Sequence, residues 1–153
     1  MIPLRSPDQR SVAEQVALLP KADRDRAFAR LSPEEAERIF YDWAYWARPS
    51  QLLPPGKWVI WLILSGRGGG KTRTGAETIL HWSAENERLA LIGRTAADVR
   101  DVMVEGESGI LRCAPPWSRP SYEPSKRKLT WPNGAVAFCY GQTSRRSCAA
   151  PSS

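Results

Sequence analysis

Beyond Glu123 the chain contains no acidic residue, and its only histidine is His81. The three cysteines, Cys113, Cys139 and Cys148, have neither CxxC spacing nor a neighbouring histidine, which argues against a zinc or dithiol redox site. Cys113 and Cys139 lie in apolar surroundings and are expected as small buried side chains. His81 sits among Ile79, Leu80 and Trp82 on an expected helix and is assigned no role. Long apolar runs are also missing: WVIWLIL is interrupted after seven residues by Ser65 and Gly66, far short of the roughly 18 that a membrane span requires. The N-terminal MIPLRSPDQR has no apolar signal core, so a cytoplasmic location without membrane contact is expected.

What is present is one domain's worth of chain: 153 residues, 42% hydrophobic and 25% charged. The formal charge of +6 is unevenly placed. Residues 1–50 carry eight basic and eight acidic side chains, residues 51–107 seven of each, and residues 108–153 seven basic groups against Glu123 alone. A basic last third suits a polyanion such as DNA, and equally suits a solvated face.

Residues 1–50 read as a helical segment. Ser32-Pro33-Glu34-Glu35 combines a hydroxyl N-cap, proline at the first helical position and a carboxylate three residues after the cap, which is a capping box. A helix is expected from there to Trp46, with Ala36, Ile39, Phe40, Trp43 and Trp46 as one buried stripe. Shorter helices are expected around Val12–Leu19 and Ala22–Leu31, separated by Pro20. After a proline-rich link, Trp58–Leu64 reads as a strand buried on both faces. A helix then begins inside GKTRTGAETILHW and runs to about Glu85. Leu89–Ile92 reads as a second strand and Ala96–Val104 as another helix. Strand, loop, helix and strand in this order make a βαβ unit of an α/β domain. Lys126–Trp131 and Ala135–Tyr140 read as a β-hairpin closed by Pro132-Asn133-Gly134, in which Asn-Gly supplies positive φ.

The loop SGRGGGKT has the context of a phosphate site, following an expected strand and preceding a helix. Gly66, Gly68, Gly69 and Gly70 let the backbone curl with its N–H groups inward. The helix that follows offers its unpaired N–H groups and positive dipole end to the same anion. Lys71 would reach the β- and γ-phosphates of ATP, and the Thr72 hydroxyl would ligate Mg²⁺. Ser65 stands where the strict GxxxxGK[ST] pattern has glycine, and Gly66 beside it supplies the flexibility. Arg67 inside the loop is either solvent-exposed or a guanidinium that stabilises transition-state charge.

With these residues in view, the chain resembles the N-terminal part of the large terminase subunit, the DNA-packaging ATPase of tailed bacteriophages and gene transfer agents. The resemblance covers roughly residues 38–140 and rests on RPSQLLPPGKWVIWLILSGRGGGKTRTGAE, LIGRTAADVRDVMVEGESGIL and YEPSKRKLTWPNGAVAFCY, in that order. It implies a P-loop NTPase βαβ core with an incomplete parallel sheet, a helical N-terminal segment and a C-terminal β-hairpin. It also implies ATP and Mg²⁺ as cofactors, and double-stranded DNA, a portal protein and a small terminase subunit as partners. By the same resemblance Arg67 is the loop arginine and Gln51 matches a glutamine that helps hold adenine; Gln51 as a plain linker residue stays open. Arg94-Thr95-Ala96-Ala97-Asp98 fits a family segment to which no chemistry is assigned.

The family pattern continues into an acidic stretch followed by Leu-Arg-Gly, with catalytic carboxylates and a nuclease domain beyond, whereas this chain ends in QTSRRSCAAPSS. Codons compatible with that tail can encode Ala-Asp-Glu-Pro-Glu-Glu-Leu-Arg-Gly in a shifted frame. The expectation is therefore a truncated ATPase domain over 51–140 and an out-of-frame or disordered tail over 141–153, giving weak nucleotide binding at most and negligible turnover. Two other readings remain open: a fragment of another P-loop ATPase of helicase type, and a non-enzymatic DNA- or partner-binding protein using Lys126, Arg127 and Lys128 with Trp117, Tyr122 and Trp131.

Overall fold

A computed structural model describes residues 9–142. The expectations for the N-terminal decapeptide before Gln9, for Cys148 and for the tail beyond Gln142, including Arg145 and Arg146, lie outside the described residues. The chain divides into two compact units, one up to Arg67 and the other from Gly68 onward. Among the described residues no helix is long and apolar enough to cross a membrane.

The first unit is a run of short helices, each started by local chemistry. Helix α1, Val12–Ala17, and helix α3, Pro33–Tyr41, both carry a complete capping box, from Ser11 with Glu14 and from Ser32 with Glu35. Helix α2, Lys21–Ala29, follows Pro20. The continuous helix expected to reach Trp46 is broken at Asp42, whose backbone is extended at ψ 101° and whose Oδ1 accepts from Ala44 N at 3.0 Å. That carboxylate competes with the helix for its own backbone and starts a new turn, α4, Trp43–Trp46. The Trp46 indole N–H closes α3 by donating to the Ile39 and Phe40 carbonyls at 2.9 and 3.1 Å.

The apolar stripe on α3 and α4 is not the buried face expected of it. Phe40 is 63% and Trp46 45% exposed, because the four helices are too short to build an opposing layer; none of them contains a buried residue.

The strand expected at Trp58–Leu64 is absent. These residues form neither helix nor strand, and Val59 and Ile60 are 97% and 83% exposed. An apolar sequence becomes a strand only beside another strand, and the sheet of the described residues, whose four strands all lie beyond residue 87, does not include this segment. The βαβ unit built on it is therefore not formed.

The second unit is a mixed α/β layer pair. Helix α5, Lys71–Ser83, leads into strand β1, Arg88–Gly93. Strands β2, Ser121–Glu123, β3, Lys128–Thr130, and β4, Val136–Gly141, complete a four-stranded sheet of order β1-β4-β3-β2. β1 and β4 are parallel, from Arg88 opposite Val136 to Gly93 opposite Gly141, and the other pairs are antiparallel. One sheet face carries Leu91, Leu129, Ala137 and Cys139 into a core shared with Ala76, Ile79, Val99, Val104, Ile110 and Trp131. The other face stays open, with Ile92 64% and Tyr140 51% exposed.

Between β1 and β4 lie α6, Ala96–Asp98, and α7, Ile110–Cys113. The helix expected over Ala96–Val104 changes at Val99 into a π-helical stretch, with Glu105 N donating to Arg100 O at 2.9 Å. Residues five apart then share one face of the helix, which turns both Val99 and Val104 into the core, each fully buried.

The hairpin forms as expected, with a different turn chemistry. Only Gly134 has positive φ, at 91°, and Gly134 N donates to Trp131 O at 3.0 Å. This is a three-residue loop in which glycine takes the left-handed position, while Asn133 contributes through its side chain.

Candidate functional site

The phosphate loop expected from the sequence falls at the start of α5. Gly70 is its N-cap in the left-handed conformation, φ 81° and ψ 17°, and supplies no side-chain cap. Gly68 has φ 75° with open space where a Cβ would stand. These two angles are what the sequence needs glycine for, since a side chain at positive φ is strained. Helices α1, α3, α4 and α6 are each capped by a side-chain oxygen, whereas α5, like α2 and α7, has no side-chain cap; among these three only α5 opens on a left-handed glycine, Gly70.

Lys71 and Thr72 are exposed in the first turn, while Thr74 is fully buried. The buried face of α5 is unusually polar, and its hydroxyls are satisfied within the helix. Thr74 Oγ1 donates to Gly70 O at 3.0 Å, Thr78 Oγ1 to Thr74 O at 2.7 Å and Ser83 Oγ to Leu80 O at 2.7 Å. Glu77 is buried at 7% exposure and bound by Arg73, whose Nε and NH2 lie 2.8 and 2.6 Å from Oε1. This pair was not anticipated from the sequence, although Arg and Glu four residues apart on a helix is its signature.

Ser65, Gly66 and Arg67 are exposed at the end of the first unit, with Arg67 beginning a turn that continues through Gly68. Gln51 lies in that first unit, in the 3-10 turn Pro49–Gln51, where its Oε1 accepts from Arg48 N at 3.1 Å. Gly68 to Thr72 thus form one local element, and Gln51 belongs to another unit.

Arg94 follows β1 directly, its side chain 85% exposed and its Nε 3.5 Å from Asp98 Oδ2. Asp98 closes the capping box of α6, taking Thr95 N at 3.1 Å while Asp98 N donates to Thr95 Oγ1 at 3.0 Å. Gly141, at the end of β4, approaches this cap so closely that a Cβ would stand 2.5 Å from Ala96 N.

The basic hairpin does not assemble a stacking surface. Trp131 is 3% exposed, Tyr122 packs against the core, and Lys126 is paired to Glu123 at 2.6 Å. That hydrogen bond, with the Lys126 charge, holds the Glu123 carboxyl below its ordinary range. Trp117 is 57% exposed. Cys113 and Cys139 are buried and unbridged, as expected, and His81 stands exposed, 4.0 Å from Glu85. A cavity of about 720 Å³ opens at the C-terminal end of α5, among Asn86, Arg88, Lys128, Asn133 and Phe138, away from Lys71 and Thr72.

The family model of the large terminase subunit, T4likevirus-type, N-terminal, matches residues 62–151. Comparison with the curated proteins and with the solved structures found no match. The matched stretch contains the glycine turn, α5, the Arg94 segment and the hairpin; the part of the resemblance that precedes residue 62 lies outside it. It covers more than half of the chain, which therefore belongs to the large terminase subunit family of bacteriophages and represents its N-terminal part.

Proposed function

We propose that the turn from Gly66 to Thr72 holds the phosphates of ATP, with Lys71 on the β- and γ-phosphates and the Thr72 hydroxyl toward Mg²⁺. The observation that carries this reading is the opening of α5: a left-handed glycine N-cap without a side-chain cap, followed by exposed Lys71 and Thr72. Such a terminus presents N–H groups and positive dipole to an anion. Arg67 adds a further guanidinium for charge developing on the transferred phosphoryl group. Mg²⁺ would screen the phosphate charge. In this reading the chain is the ATP-binding part of a motor that packages double-stranded DNA, working with a portal protein and a small terminase subunit.

Equilibrium binding of Mg·ATP to the full chain tests this. Wild type binds, and Lys71→Ala weakens binding by at least about tenfold, the size of a lost charge-assisted contact. Equal affinity in the two proteins overturns the proposal.

A further inference from the structure

Two lengths fix where the start of α5 lies within the second unit. A helix of 13 residues and a strand of 6 both span about 20 Å. Only residues 84–87 join them, too few to carry the chain back along that distance, so α5 and β1 run in opposite directions while packed together. The far ends are fastened at one level: Asn133 Nδ2 donates to Ser83 O at 2.8 Å, and Val136 N donates to Glu87 O at 2.9 Å. The start of α5, with Lys71 and Thr72, therefore lies at the carboxyl ends of the parallel strands β1 and β4, the end of a sheet at which α/β proteins bind ligands.

Arg94 is the first residue beyond β1 at that end. Its guanidinium is exposed and its ion pair with Asp98 is long, at 3.5 Å. Asp98 does not depend on Arg94 for its position, since the Thr95 cap already holds its carboxylate. The guanidinium can leave at little cost. Planar and forked, it matches two phosphate oxygens better than one distant carboxylate oxygen.

We infer that Arg94 exchanges Asp98 for the terminal phosphate of a nucleoside triphosphate bound at the start of α5, and so distinguishes triphosphate from diphosphate. The inference rests on the phosphate site proposed above. A diphosphate occupies the helix terminus, and the third phosphate extends from it toward the strand ends where Arg94 stands.

The experiment measures Mg·ATP and Mg·ADP affinities of the full chain side by side. Wild type prefers ATP. Arg94→Ala weakens ATP binding by roughly tenfold, as expected for one charge-assisted contact, and leaves ADP within about twofold. Arg94→Lys keeps part of the preference. Asp98→Asn keeps the cap acceptor, removes the competing charge and tightens ATP binding. An ATP-to-ADP ratio unchanged in Arg94→Ala, or equal losses for both nucleotides, overturns the role of Arg94 and leaves the phosphate site standing. If wild type binds neither nucleotide, the phosphate site itself falls, and the inference with it.

Discussion

The side chain of Asn133 joins the hairpin turn to the last turn of α5: its Nδ2 donates to Ser83 O at 2.8 Å across fifty residues of sequence, while its Oδ1 accepts from Ala135 N at 3.0 Å. One amide thus satisfies a carbonyl at the helix C-terminus and shapes the turn. Asn133→Ala removes both bonds and leaves two backbone groups to find water. The expected loss is about 1–3 kcal/mol. Hydrogen exchange checks it: amides in the last turn of α5 and in β4 exchange faster together, and unchanged protection there would show that the amide does not couple them.

Gly93 and Gly141 face each other at the ends of β1 and β4, and their neighbours differ in kind. A Cβ on Gly141 would stand 2.5 Å from Ala96 N and 2.8 Å from Thr95 C, whereas one on Gly93 would meet the Val99 Cγ2 methyl at 2.7 Å. Neither neighbour gives easily, since Val99 is fully buried and stiff at χ1, but a side chain can shift by a small turn about χ1 where backbone at a capped helix start cannot. Both Gly→Ala changes overpack the site, at a cost of about 1–3 kcal/mol, with Gly141→Ala at the upper end. Urea midpoints measured on the two variants check the order; a larger loss for Gly93→Ala would contradict it.

The buried Arg73–Glu77 pair predicts an asymmetric response to mutation. Glu77→Ala leaves the Arg73 guanidinium against the core, where breaking a fully buried pair costs roughly 3–5 kcal/mol. Arg73 is 34% exposed, so water screens part of the loss and on the order of 2 kcal/mol is expected. Glu77→Gln keeps an acceptor and loses less. The thermal midpoints of the two variants should separate in that order, and coincident midpoints would mean that the charge contributes nothing beyond its hydrogen bonds.

Local signals in the sequence decide the structure where the chemistry is itself local. Ser32 with Glu35 started a helix, GKT started α5, and Pro132-Asn133-Gly134 closed a hairpin. Structure departs from the pattern where a second influence outweighs it. Asp42 stops the apolar helical run because its carboxylate bonds to Ala44 N. Val99 and Val104 share a core position through a π-helical ladder, which a 3.6-residue period does not reveal. The apolar stretch Trp58–Leu64 carries every compositional mark of a buried strand, but pairing is a property of neighbours and not of the segment. For the candidate site, the glycines and Lys71 were legible from spacing. The place of Arg94 at the same end of the sheet was not, because it depends on α5 and β1 having equal lengths and opposite directions.

Alkaline pH should loosen the second unit through its thiols. Burial pushes Cys113 from an ordinary value of 9.0 up to about 11, with Arg73 opposing and Glu77 adding to the rise; burial also raises Cys139. A thiol is neutral when protonated, so between about 9 and 11 the folded chain keeps a proton that the unfolded chain releases. The stability that this provides is complete below the unfolded value and is lost as pH rises toward the folded one. The melting temperature is therefore expected to hold steady from roughly pH 7 to 8.5 and to fall above that range. Cys113→Ala removes one of these groups and should fall less steeply, although it starts lower because a cavity replaces the sulfur. Parallel slopes for wild type and Cys113→Ala would show that the alkaline loss comes from other groups.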